Sequence, residues 1–188
     1  MAKLVCASLA SLDGYVVDAE GSFDWAEPDE AVHAFVNDLE RPIGTYLYGR
    51  RLYEVMRAWE TMAAELDLSS VARDYAQLWK AAEKIVFSST LDAVTTAKTQ
   101  LLRTFDAAAI RELKVSSERD ISIGGPTLAA HAWRAGLIDE CHLFLNPIIV
   151  GGGTRALPDH VRAELELVDE HRFANGVVHL HHRVRHRS

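Results

Sequence analysis

Short apolar runs alternate with longer stretches of helical period along most of this chain, and that alternation restricts the fold more than any single motif. The apolar runs fall at residues 3–9, 45–49, 83–90, 120–124 and 140–150. Between them, residues 28–40 carry Pro28 in a first turn and Val32, Phe35, Val36 and Leu39 at helical spacing. Residues 50–62 predict a second helix with Leu52, Val55, Met56 and Trp59 inward, and 69–82, 106–117 and 126–136 predict three more. Strands that alternate with helices must pair in parallel, because each helix carries the chain back along one face of the sheet.

The C-terminal part breaks this pattern. Two extended, alternating runs, 163–173 and 177–185, flank Asn175-Gly176, a strong short-range signal for a β-hairpin. The expectation is an α/β fold: a mainly parallel central sheet flanked by helices, with an antiparallel C-terminal hairpin, in one domain over 1–188. Within 140–150, Pro147 reads as a bulge or edge position of one long strand. Residues 15–17 read as a short apolar run after an Asp13-Gly14 turn, and 151–158 as a loop.

Composition narrows the partners. A formal charge of -7 argues against a nucleic-acid binder, whose footprint is a basic face, and still allows a local basic pocket for an anionic ligand. No stretch offers the roughly 18 consecutive apolar residues of a membrane span. The N-terminus lacks the apolar core and cleavage pattern of a secretion signal. A cytoplasmic protein acting on a small molecule is expected. Cys6 and Cys141, far apart and inside apolar runs, read as buried free thiols.

In open α/β sheets, ligands collect beyond the carboxyl ends of the strands. Three strand ends here share one chemistry. Gly49 is followed by Arg50 and Arg51, whose forked donors suit phosphate. Ser88 and Ser89 close the run at 83–90 with small hydroxyls. Gly124 and Gly125 precede Pro126 and Thr127, which open a helix whose positive end favours an anion. Each piece alone reads as an ordinary turn, cap or solvated boundary. Together they suggest a ligand with several phosphates, such as a dinucleotide. The G-x-G-x-x-G fingerprint is absent, and "VGGGT" at 150–154 lacks the Lys-Ser/Thr of a triphosphate loop.

The segments "SLDGYV", "YLYGRRLYEVM", "IVFSSTL" and "ISIGGPTLAAHAWRAGLIDECHLFLNPIIVGGGTRAL", in this order, span nearly the whole chain. They resemble the dihydrofolate reductase-like superfamily. Within it, the chain is most similar to stand-alone relatives of the C-terminal reductase domain of the bifunctional riboflavin-biosynthesis deaminase-reductase. The resemblance implies hydride transfer from NADPH and a homodimer formed through the late strands. It implies that Gly49, Arg50 and Arg51 take the adenosine-side phosphates and that Ser88 and Ser89 sit near the adenosine. Gly124, Gly125, Pro126 and Thr127 would hold the pyrophosphate, with Ala7 bordering the nicotinamide. Paired arginines also favour the 2′-phosphate of NADP over NAD.

A substrate that accepts hydride also needs a proton. Asp13, in the loop after the first strand, and Asp29 and Glu30, at the start of the first helix, are the candidates. The order Trp25, Pro28, Glu30 is similar to the pterin-binding helix of dihydrofolate reductases. Ordinary roles also fit: an Asp-Gly turn for Asp13 and helix-dipole compensation for Asp29 and Glu30. Arg155 is the one further cation suited to a substrate phosphate. The substrate implied is a small pterin- or pyrimidine-like heterocycle or a related unsaturated compound. The rival reading is a dinucleotide-binding module without turnover. No metal site is expected: His179, His181, His182 and His186 read as an ordinary strand and tail, although alternation puts His179 and His181 on one face.

Overall fold

The computed structural model describes residues 1–62 and 67–185. The strands are β1 (Leu4–Ser11), β2 (Tyr15–Val17), β3 (Ile43–Gly49), β4 (Glu83–Phe87), β5 (Thr99–Leu102), β6 (Asp120–Gly124), β7 (Glu140–Asn146), β8 (Thr154–Arg155), β9 (Glu164–Arg172) and β10 (Val178–Arg185). The helices are α1 (Glu30–Glu40), α2 (Arg50–Met56), α3 (Trp59–Met62), α4 (Ser70–Ala81), α5 (Ala107–Ser116) and α6 (Pro126–Arg134). Eight strands form one sheet in the order β5-β4-β3-β6-β1-β7-β10-β9. The first six are parallel, and β10 pairs antiparallel with β7 and β9 antiparallel with β10 to complete it. β6 inserts between β3 and β1, so the central strands are shielded from water on both edges.

Alternation along the strands feeds two cores. One face buries Leu4, Cys6, Ile121 and Ile123 beneath Ile110 of α5 and Leu128, Ala129, Ala132 and Trp133 of α6. The other buries Val5, Tyr46, Tyr48 and Val86 beneath Tyr75 and Trp79 of α4. On that same face Val32 of α1 packs with Phe144, Phe173 and Val177. Local signals set the helix ends: the side chains of Asp29, Ser69 and Asp106 accept N–H groups from the first turns of α1, α4 and α5. At the far end of α4, the Lys84 ammonium donates to the carbonyls of Trp79 and Ala82 at 3.0 and 2.9 Å, satisfying orphan acceptors. Cys6 and Cys141 are buried, free and directly opposite each other on neighbouring strands. Burial pushes both thiols up, Cys6 to about 11, so neither is reactive as a thiolate.

Five details differ from expectation. The helix expected over 50–62 is two, α2 and α3, with a turn at Arg57-Ala58 that brings Trp59 to 4.9 Å from the Tyr75 ring. In α2 it is Tyr53 that is buried, its hydroxyl held by Thr95 and Thr96, whereas Val55 faces outward. The run at 140–150 is strand only to Asn146. Pro147 has no N–H to continue the ladder, and the Ile148 N–H turns back onto the Asn146 carbonyl. The segment 151–158 contains β8, which pairs with β2. That pairing depends on Gly153: at φ +123°, any Cβ would lie 2.0 Å from the Val17 carbonyl oxygen. Finally β5 was not anticipated, being a four-residue edge strand. His186 lies outside the described residues.

Candidate active site at the carboxyl ends of the strands

β3 and β6 are neighbours, with Tyr48 opposite Gly124, so the glycine corners that follow them are brought side by side. Gly125 adopts φ +91°, and a Cβ built on it would lie 3.7 Å from the Gly49 nitrogen and 3.8 Å from Leu52 Cβ. A Cβ on Gly124 would overlap a Leu52 methyl at 2.4 Å. Pro126 occupies the first turn of α6, where its missing N–H leaves nothing unsatisfied, and Thr127 is exposed beside it. The result is a narrow corner of backbone and the Leu52 side chain at the N-terminus of a nine-residue helix. A seat of this kind favours a phosphate group, since unpaired N–H groups and the helix dipole point the same way.

The strand ends on one side are tied together by cations. Arg50 donates through Nε to Glu54 at 2.8 Å and through Nη1 to Thr90 Oγ1 at 2.9 Å, bridging the ends of β3 and β4. Arg51 is exposed and makes no hydrogen bond or ion pair with the described residues. Arg103, directly after β5, donates to the carbonyls of Ser88 and Leu91 at 3.2 and 2.6 Å. It was missed in the sequence, although an arginine at a strand end is the same signal that drew attention to Arg50. Ser88 is buried, and its Oγ accepts the N–H groups of Thr90 and Leu91, so the hydroxyl shapes this turn. Ser89 is exposed next to it.

On the other side of β6, the carboxyl end of β1 carries the acid candidates. The Asp13 carboxylate accepts the N–H groups of Val150 at 3.2 Å and Gly151 at 2.8 Å. A hydrogen bond from Ser11, followed by these N–H groups, holds its carboxyl below the usual range, so Asp13 is ionised. Asp29 Oδ1 accepts the Val32 N–H as the cap of α1. Glu30 is exposed on the first turn, without a hydrogen-bond or ion-pair partner among the described residues. Because α1 ends just before β3 begins, its first turn stands at the carboxyl end of the sheet. The indole N–H of Trp25, in the turn leading to α1, is buried without an acceptor among the described residues. Ala7 lies half-buried midway along β1, on the face covered by α1. Arg155 pairs with Asp159 at 3.7 Å and lies over the Tyr15 ring at 5.3 Å.

The candidates therefore form two groups at one end of the sheet. Gly49, Arg50, Ser88, Gly124, Gly125 and Pro126 line one continuous rim, and Asp13, Asp29 and Glu30 stand beyond the end of β1. Among the described residues no helix is long and apolar enough to cross a membrane.

Comparison with known proteins agrees with this architecture. The family model described as RibD C-terminal domain matches residues 2–179. The uncharacterized protein YyaP of Bacillus subtilis (strain 168) is 25% identical over 185 residues, which is 95% of this chain and 93% of that one. A putative riboflavin biosynthesis protein from Shewanella sp. PV-4 superposes with a TM-score of 0.75 at 19% identity, covering 99% of this chain and 100% of that one. A diaminohydroxyphosphoribosylaminopyrimidine deaminase/5-amino-6-(5-phosphoribosylamino)uracil reductase from Thermotoga maritima gives 0.65 at 16% identity. That superposition covers 98% of this chain but 57% of the longer protein. With a match from residue 2 to residue 179, on the expected sheet, the chain belongs to the RibD C-terminal domain family.

Proposed function

We propose that this chain is an NADPH-dependent reductase that passes a hydride to a small pyrimidine- or pterin-like heterocycle or a related unsaturated compound. The observation that carries this reading is the paired seat of Gly49 and Gly125, a space that a Cβ on Gly125 would begin to fill. Bound there, NADPH would supply the hydride, leaving the protein to bind, orient and protonate. Gly124 and Gly125 with the first turn of α6 hold the pyrophosphate. Arg51, without a partner among the described residues, is the cation available to a 2′-phosphate, and Arg50 is fixed in place as a wall of the same corner. Ser88 and Ser89 border the adenosine, and Ala7 the nicotinamide. Glu30 is the carboxyl left free to meet a substrate, because the Asp13 carboxylate is held in a loop clamp and Asp29 caps α1.

The pyrimidine-like substrate is supported by the uracil reductase named for the Thermotoga maritima relative. The binding-module alternative draws on the same geometry, since two of three carboxylates are engaged in structural hydrogen bonds. A pair of experiments separates them. Fluorescence titration should give tighter binding of NADPH than of NADH; equal, millimolar affinities would remove the NADP reading. A screen of pyrimidinones and dihydropterins, followed by loss of NADPH absorbance, should find a turned-over compound; binding without any turnover would leave the module. We further propose a homodimer through the edge strand β9, where Leu165, Leu167 and Val168 are 39%, 52% and 42% exposed. Sedimentation velocity should show twice the chain mass.

A further inference from the structure

The opposite end of the sheet holds a second cluster of chemistry, remote from the rim that would bind a dinucleotide. A cavity of about 340 Å³ opens there between the C-terminal half of α1 and the amino ends of the parallel strands. Glu140, His142, His179 and His181 line it, with Asp38, Asp120 and Asp169 around the mouth and Lys3 as its one ammonium group. The polar part of the wall is therefore acidic and rich in imidazole, a set suited to a cation, and it stands beside the apolar Val5, Phe35, Leu39 and Ile43.

The cluster follows from strand register. Glu140 and His142 are two apart on β7 and share a face. His181 is directly opposite His142 on β10, and their rings stack with centroids 4.1 Å apart. One nitrogen from each ring and one carboxylate oxygen lie within 4.8 Å of one another. Glu140 and His142 are 8% and 3% exposed. His181 Nε2 is buried 3.4 Å from Glu140 Oε2, yet it forms no hydrogen bond among the described residues. A buried ring nitrogen left without a partner beside a carboxylate oxygen is a position that a cation bound by both would satisfy.

We propose that Glu140, His142 and His181 form a binding site for a divalent transition metal of the zinc class. Two imidazoles and one carboxylate are a donor set such ions take, and a fourth position stays open toward the cavity for water. Ligands around a tetrahedral zinc stand about 3.4 Å apart, the separation of His181 Nε2 from Glu140 Oε2, and the three donor atoms lie within 4.8 Å of one another. The supporting contacts are already in place. His142 Nδ1 is hydrogen-bonded to His179 Nε2 at 3.0 Å, which fixes the ring plane, and Lys3 Nζ holds the other Glu140 oxygen at 2.9 Å. Hard cations such as magnesium are disfavoured, since they prefer all-oxygen sites.

The test uses untagged, chelator-stripped full-length protein, titrated with Zn²⁺ by calorimetry and with Co²⁺ by its visible spectrum. One equivalent should bind, and the cobalt complex should show the strong absorption of a low-coordinate site. His181→Ala and Glu140→Gln should each weaken binding by about tenfold or more. His182→Ala, on the opposite face of β10, should leave it unchanged. Thermal unfolding of each variant without metal controls for folding, and Zn²⁺ should raise the melting temperature of the parent but not of His181→Ala or Glu140→Gln. Failure to bind one equivalent, or full affinity retained in either of those two variants, would overturn the site. NADPH titration is independent of both results, because the cradle lies at the other end of the sheet.

Discussion

Gly125 places its α-carbon so that a Cβ would stand 3.7 Å from the backbone nitrogen of Gly49, joining two corners that are 76 residues apart in the chain. The approach depends on φ +91° at Gly125, a conformation that residues with a side chain rarely adopt. Gly125→Ala should therefore lower stability by about 1–3 kcal/mol in denaturant unfolding. It should also weaken NADPH binding, since the new methyl points into the seat. Gly124→Ala is the milder change, because the atom it meets is a terminal methyl of Leu52 that can turn away. If Gly125→Ala binds NADPH as the parent does, the seat is a turn and nothing more.

The two arginines of the first corner should separate by function. Arg50 is engaged with Glu54 and Thr90, whereas Arg51 has no partner among the described residues. Arg51→Ala should cost NADPH about tenfold in affinity, equivalent to about 1.4 kcal/mol, with NADH little changed. The comparison of the two cofactors by fluorescence titration is the measurement. An equal loss for both would mean that Arg51 does not meet the 2′-phosphate.

Asp13 and Glu30 should give opposite kinetic patterns. The Asp13 carboxylate, held below the usual carboxylate range, keeps its grip on Val150 and Gly151 above that range and loses it as pH falls through the lowered value. Asp13→Ala should speed hydrogen exchange at the Val150 and Gly151 amides and act on KM. Glu30→Gln should lower kcat by about a hundredfold or more with cofactor affinity unchanged, as removal of a proton donor does. A kcat collapse in Asp13→Ala alone would reverse the assignment.

Much of the fold was legible because strand and helix periods are local. β1, β3, β4 and β6 each declare themselves within ten residues or fewer, and the C-terminal hairpin by two alternating runs around Asn175-Gly176. β5 did not, since four half-exposed residues at a sheet edge need no strong apolar pattern. The break between α2 and α3 was hidden because the helical period continues through it; what bends the chain is the packing of Trp59 on Tyr75. The rim of glycines and arginines could be read as a set because each follows a strand. The histidine cluster could not. Alternation put His179 and His181 on one face, but the partner strand that supplies His142 and Glu140 is chosen by sheet order. Arg103 was passed over with β5, the element that places it.

Glu40 makes the stability of the fold depend on pH. It closes α1, is 8% exposed, and its Oε2 has no hydrogen-bond partner among the described residues. Burial pushes its carboxyl from an ordinary 4.5 up to about 7. The folded chain thus keeps a proton that the unfolded chain releases, so the contribution is fully present below about 4.5 and is lost as pH rises through about 7. The difference between the two limits corresponds to about 3 kcal/mol. Glu40→Gln is neutral at every pH and removes this decline. In urea unfolding it should match the parent near pH 4, where both side chains are uncharged, and exceed it at about pH 8. Parallel stability profiles for the two proteins across that range would show that Glu40 is not the group responsible.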